Sequence, residues 1–254
     1  MGKIRKPFQG VWNIIRFNWH FYVLALLAVI VVMLAERYAG EKFRVYIDVL
    51  YVLILWTTGV TLLVSFYVYD LSGLYRFDWL DELTEEKGAN IVNINAGFDE
   101  TSVLLKDRFP FSEMHVLDFY DPTVHTEISI KRARNAYPPY PRTIPVKTTN
   151  LPLANHFANK IFLIFAAHEI RNDDERAAFF REISRVLKAD GQIVVTEHLR
   201  DIANFMAYNI GFFHFYSKAS WLHTFQKAGL TVKNEKRITP FIITFILEKN
   251  GNSL

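Results

Sequence analysis

Two uncharged apolar runs near the start of the chain restrict most strongly what it can fold into. Residues 21–35 (FYVLALLAVIVVMLA) carry no charged side chain, and residues 49–69 (VLYVLILWTTGVTLLVSFYVY) are longer and also uncharged. Because about 20 apolar residues span a bilayer core, the second run suffices alone and the first suffices with its flanks. The second run is apolar around its whole circumference, which favours a membrane helix. A buried helical hairpin of a soluble protein is the alternative.

Basic residues around the two runs predict their orientation. Four of them precede the first run: Lys3, Arg5, Lys6 and Arg16. The short link ERYAGEKFR (residues 36–44) carries three basic residues beside two acidic ones. Because Lys and Arg accumulate on the cytoplasmic side, this slight bias places the first end in the cytoplasm, and two spans return the chain to that side. We therefore expect an integral membrane protein, most simply of a bacterial inner membrane, with its soluble part in the cytoplasm.

The composition narrows the choice of partners. The 254 residues carry a net charge of only +3, so charge alone indicates no nucleic-acid partner. The chain has no cysteine, which excludes disulfide bonds and thiolate metal sites. Neither number specifies an oligomeric state.

The pattern changes after the second run, which predicts an anchor over residues 1–71 and a second domain over residues 72–254. In this second part, short apolar runs alternate with helical patterns, as in an open parallel α/β sheet. The strand candidates are residues 90–95, 114–118, 144–147, 161–166 and 193–197, with a closing hairpin of residues 231–238 and 241–248.

Capping residues mark two helices in this domain. The first begins after Asn172 or Asp173, carries acidic residues in its first turn and is predicted to end at Gly191. The second begins after Ser217 and ends at Gly229.

The loop after the first predicted strand, within IVNINAGFDET (residues 91–101), has the form of a cofactor loop. Gly97 is its one glycine, and a glycine lets the backbone approach a ligand closely. Asp99 or Glu100 is predicted to open the next helix. An acid there disfavours a pyrophosphate and favours a cationic ligand, such as the sulfonium and amino groups of S-adenosylmethionine. An ordinary tight turn is the alternative.

Asp118 ends the second predicted strand at the spacing usual for a ribose-binding acid. A carboxylate accepts hydrogen bonds from both ribose hydroxyls. The alternative is an aspartate that only caps its own loop.

Residues 73–250 resemble a class I S-adenosylmethionine-dependent methyltransferase, nearest to the ubiquinone/menaquinone methyltransferase group. The resemblance rests on IVNINAGFDET, HVLDFYDP, NLPLANHFANKIFLIFAAHEI, FFREISRVLKADGQIVVTEHL and WLHTFQKAGL. It implies a Rossmann-like sheet, mostly parallel with a C-terminal antiparallel hairpin, and S-adenosyl-L-methionine as cofactor. The cofactor-binding residues that it implies are Asn93, Asn95, Gly97, Asp99, Asp118, Asn150 and Ala166.

The chain departs from the family at several positions. The first strand of the family usually ends in acid-x-Gly-x-Gly, whereas here those positions hold Asn93, Asn95 and Gly97. An acid before the Leu-Pro dipeptide is replaced by Lys147. Asparagine still forms hydrogen bonds and tolerates positive φ, so we expect a modified pocket. A chain that binds the cofactor weakly or not at all is the alternative.

Candidate catalytic residues follow the fourth and fifth strands, because ligands of this fold lie at the carboxyl ends of the strands. His168 or His198 is the candidate base, and Glu197 is either a catalytic partner or the residue that orients a histidine. Each histidine has a hydrogen-bonded structural role as its alternative. The adjacent His-Glu pairs lack the spacing of a metal site, so the sequence predicts no metal.

A strongly aromatic segment, RDIANFMAYNIGFFHFYS, follows the fifth strand. It fits either a soluble core or a lid that rests on the bilayer over an apolar substrate. The sequence therefore supports a membrane-anchored methyltransferase acting on a lipophilic small molecule, such as a quinone precursor, a phenolic polyene or a lipid. The rival hypothesis is a membrane-tethered, non-catalytic scaffold that keeps the fold as a binding module.

Overall fold

The structure, a computed structural model, describes residues 5–251, so the predicted contribution of Lys3 lies outside the described residues. A seven-stranded sheet forms the centre of the molecule. Its strands are β1 (Asn90–Asn95), β2 (Glu113–Asp118), β3 (Ile144–Pro145), β4 (Ala158–Ile164), β5 (Leu187–His198), β6 (Leu230–Thr239) and β7 (Ile242–Lys249).

The strand order is β3-β2-β1-β4-β5-β7-β6. The first five strands are parallel to their neighbours, β7 is antiparallel to β5, and β6 is antiparallel to β7. This confirms the predicted mostly parallel sheet with a C-terminal antiparallel hairpin. The parallel order brings the carboxyl ends of β1, β2, β4 and β5 to one edge, where the candidate site residues lie.

The helices of at least seven residues are α1 (Gln9–Phe17), α2 (Trp19–Glu36), α3 (Arg44–Phe66), α4 (Ser102–Arg108), α5 (Ile128–Ala136), α6 (Asp173–Val186), α7 (Ile202–Tyr208) and α8 (Lys218–Lys227). Asn172 caps α6 and Ser217 caps α8 through side-chain oxygens that accept backbone N–H groups, as predicted. Gly229 follows α8 at a φ of +70°, the conformation that lets glycine end a helix.

Several predicted boundaries were wrong: β4 spans Ala158–Ile164 and not residues 161–166, and β5 begins at Leu187 and not at residue 193. Helix α6 ends at Val186 rather than near Gly191, because Leu187 is extended and already pairs with Ala158 of β4. A Cβ on Gly191 would lie 3.1 Å from the carbonyl oxygen of Ala158, so this glycine permits close strand approach and does not end the helix. Strand β3 has only two residues.

Apolar residues on alternate positions of the strands face two separate cores. Val92 and Ile94 of β1 join the core that contains Phe180, Trp221 and Phe225. Ile91 of β1 joins the core on the other face. Burial on both faces explains why these strands appear in the sequence as continuous apolar runs.

Helices α2 and α3 project their apolar side chains outward. In each, only 6% of the most apolar 18-residue window is buried, so they do not form the core of the α/β domain. Helix α1, by contrast, lies against that domain. Asn13 and Phe17 are buried there: the Tyr137 hydroxyl donates to Asn13 Oδ1 at 2.9 Å, and Arg132 donates to the Phe17 carbonyl at 2.6 Å.

Candidate functional site

The loop after β1 is held by the two asparagines that replace the usual residues. The Asn93 side chain donates to the hydroxyls of Thr101 and Ser102 at 2.9 and 2.8 Å. The Asn95 side chain accepts from the Gly97 N–H at 3.0 Å and donates to the Leu117 carbonyl at 3.2 Å. The asparagines therefore fix the loop to the start of α4 and to β2.

Helix α4 begins at Ser102, three residues after the first predicted start. Asp99 accepts hydrogen bonds from the backbone N–H groups of Thr101 and Ser102 through one carboxylate oxygen, so it caps the turn without entering the helix. Glu100 turns away toward the N-terminal segment. Its carboxylate accepts hydrogen bonds from three side chains at 2.8–3.1 Å: Arg5, Asn13 and Tyr75.

Asp118 lies at the carboxyl end of β2, as predicted, and is already engaged within the chain. Its Oδ1 accepts the Tyr120 N–H at 2.9 Å, and its Oδ2 forms an ion pair with Arg134 at 2.5 Å. Gly97 has a φ of +97°, and a Cβ there would lie 2.9 Å from both the Tyr120 ring and the Arg134 guanidinium. Tyr120 and Arg134 thus occupy the space beside the glycine.

Two hydrogen-bond acceptors of this loop fit the amino group of S-adenosylmethionine. Asn93 Oδ1 and Asp99 Oδ2 are buried acceptors without a hydrogen-bond partner among the described residues, and both side chains bond to Thr101 and Ser102. An ammonium group supplies the donors that such acceptors lack. The Asp118 carboxylate can accept hydrogen bonds from the ribose hydroxyls once the Arg134 guanidinium moves away from it. The fit therefore requires Arg134 and Tyr120 to move aside.

The two remaining cofactor-binding candidates lie at the same edge of the sheet. Asn150 is exposed in a turn, where its N–H donates to the Lys147 carbonyl at 3.1 Å. Ala166 is buried, two residues beyond the end of β4. Neither side chain makes a contact that assigns it a role with a ligand.

His168 and Glu197 meet where β4 and β5 end. His168 Nδ1 lies 2.6 Å from Glu197 Oε2, and its Nε2 lies 3.2 Å from Glu169 Oε1. Glu197 is fully buried. Burial lowers the pKa of His168, but attraction to Glu197 and hydrogen bonds to Glu169 and Glu197 outweigh it and raise the pKa to about 10. The two carboxylates thus hold His168 in a fixed orientation.

His198 is enclosed and bonded through both ring nitrogens. Nε2 lies 2.9 Å from the Tyr69 hydroxyl, and Nδ1 lies 3.0 Å from both the Asn204 side-chain oxygen and the Phe241 carbonyl. Its ring lies between two aromatic rings, those of Phe165 and Phe215. Burial, as the largest cause, lowers the pKa of His198 to about 4. These contacts match the structural role that the sequence left open.

Two residues of this cluster were missed by the sequence analysis, Glu127 and His214. His214 lies at the end of a short helix, Asn209–His214, and its Nε2 is 3.4 Å from Glu169 Oε1. Its Nδ1 is 3.1 Å from Glu127 Oε1. In the sequence, His214 is visible only as a histidine within the aromatic segment, and such a residue by itself does not indicate which side chains it contacts.

A family model described as a methyltransferase domain matches residues 94–195. These 102 residues of the 254-residue chain are therefore similar to a methyltransferase domain. The match runs from the end of β1 to β5 and includes Gly97, Asp118 and His168. A comparison with curated protein sequences finds no match.

Solved structures share the α/β fold of this chain. One is a SAM-dependent methyltransferase from Aquifex aeolicus, with 15% identity, a TM-score of 0.50 and coverage of 75% of this chain and 97% of the other. A SAM-dependent methyltransferase from Methanosarcina mazei has 10% identity, a TM-score of 0.51 and coverage of 68% and 97%. An O-methyltransferase family 2 protein from Planctomyces limnophilus, solved with apigenin, has 12% identity, a TM-score of 0.51 and coverage of 76% and 61%.

Together, the domain match and the sheet topology support an S-adenosylmethionine-dependent methyltransferase with the class I fold. S-adenosylmethionine is the cofactor that such a domain implies. The comparisons support the class I methyltransferase fold. They do not single out the ubiquinone/menaquinone group that the sequence resembles.

Asp118→Ala is expected to weaken S-adenosylmethionine binding by about 1.5–3 kcal/mol, the scale of lost hydrogen bonds to a charged group. The matched control is Asp121→Ala, since Asp121 only closes its own turn onto Thr123. Isothermal titration calorimetry on the full-length protein measures both. Equal affinities of the Asp118 variant and the parent would remove Asp118 from the ribose role.

Proposed function

We propose that the protein is a membrane-anchored S-adenosylmethionine-dependent methyltransferase whose acceptor is a lipophilic small molecule. Residues 1–71 form the anchor in this proposal, and residues 72–254 form the methyltransferase-like domain. The observation that carries it is an exposed apolar surface that joins the candidate active site to the second apolar helix.

This apolar ridge lies on α7 and on the short helix that follows it. It consists of exposed side chains on one segment: Ile202, Phe205, Met206, Ile210 and Phe213. Ile202 and Ile210 are 82% and 83% exposed, which is unfavourable in water for large apolar side chains. Contact with a bilayer removes this cost.

The apolar ridge is continuous with the proposed membrane span. The Thr61 hydroxyl in α3 donates to the Ala207 carbonyl in α7 at 2.8 Å. The short helix Asn209–His214 then ends at His214, beside His168 and Glu169. An apolar acceptor that leaves the bilayer along the apolar ridge therefore arrives at the carboxyl ends of β4 and β5.

The residues of the chain have distinct roles in this proposal. Asp118, Gly97, Asn93 and Asp99 would hold S-adenosylmethionine, which supplies an electrophilic methyl group. The His168–Glu169 pair lies nearest to the acceptor and orients it for in-line attack. Glu197 fixes His168 from behind, and His198 stabilises the core.

The scaffold hypothesis is supported by one specific observation. Arg134 and Tyr120 fill the space beside Gly97, and Arg134 holds the ribose-binding carboxylate of Asp118. Calorimetry of the full-length protein with S-adenosylmethionine separates the two functions. Binding supports the enzyme, and no detectable binding at millimolar cofactor supports the scaffold.

The acceptor class is tested with S-adenosylmethionine labelled in its methyl group. Full-length protein is incubated with total lipid extract in detergent, and the products are partitioned between organic and aqueous phases. We expect label in the organic phase with the parent and not with Asp118→Ala. Label confined to water-soluble products would overturn the lipophilic acceptor.

The anchor is tested by washing membranes with alkaline carbonate. We expect the protein to stay in the pellet, because two 18-residue apolar windows with a mean hydropathy of 2.1 point outward from the domain. Release into the supernatant would contradict integral insertion. In inverted vesicles, protease should digest the exposed methyltransferase domain; protection there would reverse the proposed orientation.

A further inference from the structure

We propose that His168, Glu169 and His214 bind one divalent transition-metal ion at the carboxyl ends of β4 and β5. The sequence indicated no metal because adjacent His-Glu pairs lack ligand spacing. In the folded protein, however, His214 comes from a distant segment and lies beside the His168–Glu169 pair.

The two histidine side chains both approach one oxygen of Glu169. Glu169 Oε1 lies 3.2 Å from His168 Nε2 and 3.4 Å from His214 Nε2. Bonds of 2.0–2.2 Å to a tetrahedral ion place neighbouring ligand atoms roughly 3.3 Å apart, which matches both distances. All three ligand atoms lie within 4.8 Å of one another. His214 ends a surface helix and is 26% exposed, but the Arg171 guanidinium lies 2.6 Å from its Nε2, so Arg171 must withdraw before His214 can bind an ion.

Each histidine is also oriented by a carboxylate behind it. Glu197 accepts from His168 at Nδ1 (2.6 Å) and from its backbone N–H (3.2 Å). Glu127 lies 3.1 Å from Nδ1 of His214, which the Arg171 guanidinium also contacts. Carboxylates on the far nitrogen of metal-bound histidines fix the ring and make it a stronger ligand. The cluster therefore has both the ligands and the outer partners of a metal centre.

The charge of the cluster also suits a dication. It contains three carboxylates (Glu127, Glu169 and Glu197) and one guanidinium, that of Arg171, which contacts the His214 ring and lies 3.7 Å from Glu127. With neutral imidazoles, the sum is 3 negative charges less 1 positive charge, a net of −2. A divalent ion neutralises this sum.

The ligand types select the class of metal. Two imidazoles and one carboxylate suit Zn²⁺, Fe²⁺ or Mn²⁺ and leave positions open, whereas Mg²⁺ prefers oxygen ligands. If the proposed function holds, a bound ion would make a hydroxyl of the acceptor more acidic. This role rests on the proposed function; the binding of the metal does not.

The experiment uses full-length protein in detergent, stripped with chelator and titrated with Zn²⁺ alone. We expect one equivalent of zinc after dialysis, measured by elemental analysis, and a saturable calorimetric signal. Glu169→Gln and His214→Ala should each lose binding by at least tenfold, and Glu197→Gln should lose roughly 10–100-fold. The matched control, His223→Ala, removes an exposed histidine on α8 and should bind as the parent does.

Failure of the metal site and failure of the proposed function are distinguishable, because zinc binding needs neither cofactor nor acceptor. Zinc bound equally by the parent and by folded Glu169→Gln and His214→Ala variants would overturn the proposal, as would no binding above the level of a surface histidine. The cluster would then be a salt-bridge network only. Circular dichroism of each variant establishes that it is folded.

Discussion

Gly97→Val is expected to abolish the binding of S-adenosylmethionine while the sheet stays folded. Gly97 has a φ of +97°, which costs a β-branched residue about 1–3 kcal/mol. More importantly, its Cβ would occupy the position next to Tyr120 and Arg134, at 2.9 Å from each. Those two side chains must withdraw before a ligand enters, and a valine would fill the space that they vacate. Calorimetry measures binding, and circular dichroism reports the fold.

Two controls separate this steric effect from backbone strain. Gly88 also has positive φ, +75°, but nothing lies within 4 Å of a Cβ there, so Gly88→Val should be strained and still bind. Asn95→Gly should keep or improve binding, since it frees the Gly97 N–H and restores the residue usual in the family. It should also lower stability by about 1–2 kcal/mol through two lost hydrogen bonds. Normal binding by Gly97→Val would mean that the loop is only a turn, and would favour the scaffold.

Trp221→Ala is expected to destabilise the methyltransferase domain by about 3–5 kcal/mol. Trp221 is fully buried on α8 and contacts three aromatic rings, with centroid separations of 5.6–6.4 Å: those of Phe180, Tyr216 and Phe225. These rings come from different segments, so none can move into the cavity without leaving its own contacts. A loss of this size lowers the melting temperature by roughly 6–20 °C in a domain of this length.

The matched control for Trp221→Ala is Leu222→Ala, which changes the next residue of the same helix. Leu222 is 39% exposed, so its truncation should change stability by about 0.5 kcal/mol. Differential scanning fluorimetry of the purified full-length variants compares the two melting temperatures. Equal shifts for both variants would show that the core between α6, α8 and the sheet does not limit the stability of this domain.

Local patterns in the sequence were sufficient for most of the architecture. β1 is found where its apolar run predicted it, and Asn172 and Ser217 cap the predicted helices. These features depend on residues close together in the chain, and burial on both faces of a parallel sheet leaves a strong apolar signal. The end of α6 was missed because the pairing of Leu187 with Ala158 overrides the local helix signal.

The candidate site was only partly predictable, because its decisive contacts join distant segments. The sequence indicated a loop around Gly97 and an acid at Asp118, since each lies at the carboxyl end of a strand. It did not indicate that Arg134 engages Asp118, or that His214 joins His168 and Glu169. It also treated His168 and His198 as equivalent, although one faces two carboxylates and the other is enclosed between aromatic rings.

The amino-acid sequence by itself determined the two apolar helices, the alternation of strands and helices, and the edge of the sheet at which ligands are expected. Each of these follows from hydrophobic periodicity and capping, which act over a few residues. Only the tertiary structure decided which charged side chains meet at that edge. The free energy of an ion pair or of a buried histidine depends on partners, distances and desolvation, and these exist only once segments far apart in the chain have packed together.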